Sequence, residues 1–307
     1  MQTTLKAPAT FIGTGLHTGR KVQMTVQPAS AEYGIWFRRT DISDLNPLVP
    51  ARWDSVDDTQ LCTRVANEDG VTVSTIEHVM AALAGCGIHN ALIELDGPEV
   101  PLLDGSSEQF VNAFLARGVQ TLAAPIFAIE VLRPVSVQVG DARAELKPAQ
   151  NLTIDFEIEF KDAAIGQQQK SLNMANGAFV HELCDSRTFC RKSDIDSMRE
   201  RGLIAGGDLK SAVVVDGAEV VTPGGMRHSD EPVRHKMLDA LGDLSLAGAP
   251  ILGRYIGHKA GHGVTNALVR ALFADPSAYR VVECDKEMAG FLPGAGLERN
   301  GRQLAYA

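Results

Sequence analysis

The chain opens on alternation. Phe11 and Ile12 run into the glycine-rich Gly13-Thr-Gly-Leu-His-Thr-Gly19, and Val22-Gln-Met-Thr-Val26 then alternates apolar and polar positions. This predicts a β-hairpin around a turn. Further strands are expected over 34–39 and 61–65, extending an antiparallel sheet. The period then changes. Ile76, Val79, Met80 and Leu83 recur at helical spacing behind Ser74 and Thr75, which are expected to cap a helix over 73–84. A strand over 89–95, a turn-rich stretch and a helix from Ser107 to Gly118 follow, and small residues with Pro125 make 120–125 a linker.

From Ile126 the alternation starts again, with strands expected over 127–131, 135–139, 144–147 and 152–160. An insertion comes next, then a helix over 231–246, a strand over 251–256 and a helix over 263–274 stopped by Asp275-Pro276. The second half thus repeats the order of the first. His78-Val-Met80 and His235-Lys-Met237 each lead into Ala-Leu and then Gly. The expected fold is α+β, with two similar domains, each a β-sheet layered with helices. They would span 1–122 and 126–290, the second with an insert near 190–215, and 291–307 would be a tail, mobile over 294–302.

Candidate chemistry lies on two of these helices. His235, Asp239 and Asp243 recur at i, i+4 and i+8 and so share one face, while Val233, Met237, Leu238, Leu241 and Leu244 anchor the other. The face reads either as half a metal site that needs a third ligand or as a weak solvated pair. Glu77 and His78 are adjacent, so they point about 100° apart on their helix. One can bind a metal while its neighbour handles a proton. No second histidine stands four residues on, so this is not an H-E-x-x-H motif. His17 reads as a polar turn residue, and its flanking glycines fit neither a dinucleotide fingerprint nor a Walker loop.

Composition narrows the class. With 307 residues, 45% of them apolar, the chain can build two cores. No apolar run approaches ~18 residues, and the first residues lack the features of a leader, so a cytoplasmic protein without stable membrane insertion is expected. Five scattered cysteines and no C-x-x-C pair indicate neither a disulfide framework nor a thiolate zinc site. A net charge of -9 argues against a nucleic-acid partner but allows a small anionic substrate where lysines and arginines converge.

Thr75-Ile-Glu-His-Val-Met80, Val233-Arg-His-Lys-Met-Leu-Asp-Ala240 and Lys259-Ala-Gly-His-Gly263 together resemble the signatures of bacterial UDP-3-O-acyl-N-acetylglucosamine deacetylases, zinc enzymes of lipid A biosynthesis. Gly13–Gly19, Leu61-Cys-Thr63, Glu99-Val-Pro-Leu-Leu-Asp-Gly-Ser106 and Ser186-Arg-Thr-Phe189 match in the same order along the chain. The resemblance implies a metal site at an interdomain cleft, with His78, His235 and Asp239 holding one catalytic Zn(II), or Fe(II), since such donors accept both. It implies Glu77 as general base, and Thr188 and His262 beside the metal as stabilisers of the oxyanion. His262 also stands at a helix N-terminus, which lowers an imidazole pKa; Asp243, its implied partner, raises it.

The implied substrate is UDP-3-O-(3-hydroxyacyl)-N-acetylglucosamine, acted on by a monomer. Lys236 and Lys259 match positions facing the substrate, whose pyrophosphate needs cations. Phe189 is a further substrate-binding position, and Ile195, Ile204, Leu209, Ala212 and Val214 fall where the family builds its acyl passage. Without the resemblance, 190–215 reads as an ordinary helix and strand with core residues. Two departures stand out: Phe156-Glu-Ile-Glu-Phe160 replaces an Asp-Phe-x-His-Pro pattern, leaving no assigned partner for uracil, and Cys190 replaces a frequent Gly. The competing reading is a binding protein without turnover, which would need no general base.

Overall fold

The computed structural model describes residues 1–297; of the tail expected over 291–307, residues 298–307 lie outside the described residues. Leu292 and Leu297, in its first part, are buried.

The first half runs β1 (Thr3–Leu5), β2 (Ala9–Thr14), β3 (Lys21–Pro28), β4 (Ile35–Arg39) and β5 (Leu48–Pro50). A small sheet of β6 (Val56–Asp58), β7 (Arg64–Ala66) and β8 (Thr72–Val73) follows, then α1 (Glu77–Gly85), β9 (Ala91–Leu95), α2 (Glu108–Arg117) and β10 (Val119–Thr121). The main sheet has the order β2-β3-β9-β4-β5, and only β4 and β9 are parallel. β1 and β10 pair antiparallel beside it.

The second half repeats this plan. It contains β11 (Phe127–Val131), β12 (Val135–Val139), β13 (Ala142–Pro148), β14 (Thr153–Glu159), β15 (Gln167–Asn173) and α3 (Ala178–Glu182). The insert supplies β16 (Phe189–Arg191), α4 (Lys192–Glu200), β17 (Val213–Asp216) and β18 (Glu219–Val220). Then come α5 (Glu231–Ser245), β19 (Ile251–His258), α6 (His262–Ala274), β20 (Tyr279–Glu283) and α7 (Lys286–Ala289). Hydrogen bonding follows β12-β13-β19-β14-β15, again with one parallel pair, β14 and β19. β11 and β20 pair antiparallel as β1 and β10 do, and β11 also joins β19, as a second parallel pair. Each parallel pair requires a long crossover, and in both halves that crossover carries the central helix, α1 or α5.

Alternation places one face of each sheet in the core. On β2, Ala9 and Phe11 are buried while Thr10 and Ile12 are exposed. α5 and α6 lie on the second sheet, α2 on β2, and α1 against α5. Because α1 is buried on nearly every side, its Glu77 and His78 are as dry as its Val79 and Leu83. Gly85 and Gly242 occupy equivalent places, seven residues after His78 and His235. A β-carbon on Gly242 would meet the Glu77 carbonyl, and one on Gly85 the Phe179 ring. Among the described residues, no helix is long and apolar enough to cross a membrane.

Two local expectations are corrected. Residues 61–63 form a turn, with Leu61 at φ 65, and the strand begins only at Arg64. The Thr63 N–H and hydroxyl go to the side chains of Glu77 on α1 and Asp243 on α5 rather than to a ladder. Ser74 and Thr75 do not cap α1: Ile76 stands at the N-cap, and the Thr75 hydroxyl donates to Glu99 Oε1 at 2.8 Å. The buried Glu99 carboxylate, which also accepts from the backbone N–H groups of His17 and Thr18, competes successfully for that hydroxyl.

Candidate metal centre and active site

His78 on α1 and His235 on α5 stand edge to face, with ring centroids 5.0 Å apart. Asp239, one turn beyond His235, places Oδ1 3.3 Å from His235 Nε2 and 3.7 Å from His78 Nε2. His235 Nδ1 donates to the Ser186 carbonyl at 3.0 Å. A carbonyl only accepts, so the proton sits on Nδ1 and Nε2 offers a lone pair. Burial lowers both imidazoles, His78 to about 3, so both are neutral near pH 7.

The third donor is equally telling. Asp239 Oδ1 is buried and has no hydrogen-bond partner, whereas Oδ2 accepts from Lys236 Nζ at 2.8 Å. Burial would favour the neutral acid, but His235, Lys236, His262 and His78 together hold Asp239 well below the usual carboxylate range. Two imidazole lone pairs and an orphaned carboxylate oxygen, all within 4.8 Å of one another, fit a divalent cation. A buried oxygen is otherwise costly to leave unpaired. Three protein donors leave a further position for water or substrate, as in catalytic sites.

Beside this triad lie two further buried titratable groups, Glu77 and His262. Burial pushes Glu77 up to about 7, His262 opposing and the charges of Asp239 and Asp243 reinforcing the rise. Glu77 Oε2 accepts the Thr63 backbone N–H at 3.0 Å. His262, the first residue of α6, donates from Nδ1 to Asp243 Oδ2 at 2.8 Å, and its Nε2 lies 4.0 Å from Asp239 Oδ2. Burial disfavours its charge, yet Asp243, Glu77 and Asp239 raise it to about 9, so it is an imidazolium at neutral pH.

The other expected residues are placed less uniformly. Phe189 packs its ring 6.4 Å from that of His235 and 5.4 Å from that of Phe160. Thr188 is half-buried, and its N–H donates to the Gly105 carbonyl at 2.8 Å. Lys236 is nearly covered and rests on Asp239, while Lys259 pairs with Glu159 on the exposed side of β14. In the insert, Ile195 lies on α4 and Ala212 just before β17, both half-buried, with Val214 buried within β17. Leu209 is 44% exposed. Ile204 lies against the Gly13–Gly19 turn, where the backbone N–H groups of Ala205 and Gly206 donate to the carbonyls of His17 and Leu16.

Two supports escaped the reading of the sequence. Thr63 bridges Glu77 and Asp243, its hydroxyl donating to Asp243 Oδ1 at 2.6 Å. Glu231, the first residue of α5, is fully buried and accepts the N–H, Nε and Nη2 of Arg187. This pair fastens the 186–188 segment, whose Ser186 carbonyl orients His235. The Leu-Cys-Thr and Ser-Arg-Thr-Phe matches were the available signals; the contacts themselves are long-range and leave no local pattern.

Comparison with known proteins agrees with this constellation. The profile of one family, UDP-3-O-acyl N-acetylglycosamine deacetylase, matches residues 2–274. A UDP-3-O-acyl-N-acetylglucosamine deacetylase of Phenylobacterium zucineum is 48% identical over 288 residues, covering 94% of this chain and 98% of that protein. Proteins of the same name from Idiomarina loihiensis and Shewanella frigidimarina are 45% and 41% identical, covering 94% and 96% of this chain and 94% and 98% of their own lengths. With its two-domain α+β fold and near-complete coverage, the chain belongs to the UDP-3-O-acyl N-acetylglycosamine deacetylase family.

Proposed function

We propose that this chain hydrolyses the N-acetyl group of UDP-3-O-(3-hydroxyacyl)-N-acetylglucosamine at the α1–α5 contact, releasing acetate and the free 2-amine, the committed step of lipid A biosynthesis. Membership of the family makes it a deacetylase, and so a hydrolase. The observation that carries the reading is the orphaned Asp239 Oδ1 facing two neutral imidazoles beside a carboxyl poised near neutrality.

His78, His235 and Asp239 would hold one divalent ion, Zn(II) or Fe(II), since imidazole and carboxylate suit both. Such an ion supplies Lewis acidity toward the amide carbonyl and makes a water acidic enough to lose a proton near neutral pH. Glu77, raised to about 7 by burial, would take that proton. His262 holds a proton on Nε2, on the Asp239 side, where it can donate to the developing oxyanion or to the departing amine. Asp243 keeps the ring turned that way by accepting from Nδ1. Thr188, next in the chain to Ser186 and Arg187, would bring its hydroxyl to the same oxyanion.

Lys236 and Lys259 supply positive charge toward the nucleotide pyrophosphate, Phe189 contacts the substrate, and Ile195, Ile204, Leu209, Ala212 and Val214 receive the acyl chain. On this reading the enzyme works as a monomer in the cytoplasm, its domains dividing between residues 122 and 126.

Incubating the purified protein with UDP-3-O-(3-hydroxyacyl)-N-acetylglucosamine tests this. Equimolar acetate and primary amine are expected. Saturable binding of the nucleotide without acetate release contradicts the proposal and points to a binding protein.

A further inference from the structure

Thr63 is 1% exposed, and all of its polar groups are spent on the site. Its N–H donates to Glu77 Oε2 at 3.0 Å, and its carbonyl accepts from Ile76, the residue before Glu77, at 3.3 Å. Its hydroxyl donates to Asp243 Oδ1 at 2.6 Å, and the other oxygen of that carboxylate accepts from His262. One residue of the first half thus holds the carboxylate of α1 and, through α5, the imidazole of α6. From this geometry we propose that Thr63 is a positioning residue for deacetylation, its hydroxyl fixing the Asp243 carboxylate and thereby the His262 ring relative to Glu77. The inference rests on the function proposed above and deepens it.

The physical case is one of constraint. A carboxylate held by a single donor can turn about its Cβ–Cγ bond, and the ring paired with it turns too. Thr63 supplies the second donor, at a length typical of hydroxyl hydrogen bonds to charged oxygens. Asp243 is 3% exposed, so bulk water has little access to replace a missing donor. The backbone bears a cost for the arrangement: Leu61, two residues earlier, adopts φ 65, a region leucine rarely enters. Strain of this kind persists where surrounding contacts over-determine it, as they do here.

Thr63→Val removes the hydroxyl, keeps the shape and leaves the backbone N–H in place. Its kcat for acetate release, per bound metal, should fall about 10- to 100-fold with KM little changed, the range expected for a lost hydrogen bond to a charged group. Thr63→Ser keeps the hydroxyl and should turn over near the parent rate. The Nδ1–H proton resonance of His262, read by NMR, should move in the valine variant and stay in the serine variant. A valine variant with parental kcat and an unmoved resonance overturns the inference. So does a serine variant well below the parent rate, because the hydroxyl alone then does not sustain turnover, and this comparison with the parent stands even if the valine variant does not fold. Absence of acetate release from the parent contradicts the proposed function instead, and the resonance still decides the role of Thr63.

Discussion

Gly242 lays its bare α-carbon against the backbone of Glu77, so closely that a β-carbon there would lie 2.2 Å from the Glu77 carbonyl oxygen. α1 and α5 can approach only because this position carries no side chain, and that approach brings His78 to His235. In an open helix, Gly→Ala gains about 1 kcal/mol from propensity. Here the obstacle is backbone, which cannot step aside, and overpacking of this kind costs roughly 1–3 kcal/mol or more. Gly242→Ala should therefore lower Tm and weaken metal retention together, measured by calorimetry and metal analysis. A variant of raised Tm with full metal content would contradict the proposed contact.

Glu77→Gln keeps an oxygen for the Thr63 N–H and leaves all three metal donors in place. It should bind metal as the parent does and lose roughly 10²–10⁴-fold in kcat, the contribution of a positioned general base. Near-parental turnover would remove Glu77 from the role.

Both helices were legible in the sequence because their apolar residues keep the helical period and because His235, Asp239 and Asp243 keep one face. The repeat was legible as an order of elements, and the matching pairings of β4 with β9 and β14 with β19 give it a structural basis. The turn at 61–63 was not. Leu61 to Val65 reads as a strand by residue type, but Thr63 gives its hydrogen bonds to Glu77 and Asp243, the latter 180 residues away. The same holds for Thr75, whose hydroxyl goes to Glu99 instead of the helix end. Local pattern records propensity; it carries no trace of a distant carboxylate that outbids the backbone.

The pH dependence of kcat/KM should be a bell. On the proposed mechanism Glu77 must be ionised to accept a proton, and burial raises it to about 7, so activity should rise as pH passes that value. His262 must be protonated to donate, and Asp243 outweighs burial to raise it to about 9, so activity falls above that value. His262→Gln should lower the plateau and remove the alkaline limb. An alkaline limb unchanged in that variant would assign it to another group.

Glu231 is buried against Arg187, and removing one member of such a pair leaves the other charge uncompensated. Glu231→Gln should cost about 3–5 kcal/mol in denaturant unfolding at pH 7. Burial disfavours the Glu231 charge, but Arg187 and the backbone N–H groups of Arg187 and Arg227 hold the carboxyl below its ordinary 4.5. A depressed folded-state pKa stabilises above the unfolded value and is lost as pH falls through the folded one. The gap between parent and variant should therefore narrow below pH 4.5. A gap that stays constant into acid would show that the ionised pair is not its source.

The proposed reaction requires a metal held by His78, His235 and Asp239. The direct measurement is acetate release from UDP-3-O-(3-hydroxyacyl)-N-acetylglucosamine by the parent protein and by Asp239→Ala, each before chelation, after it, and after return of one equivalent of Zn(II). The parent should stop on chelation and recover with zinc, while Asp239→Ala should neither retain the metal nor recover. Acetate release that survives complete removal of metal, or an alanine variant that holds zinc and turns over like the parent, would contradict the account.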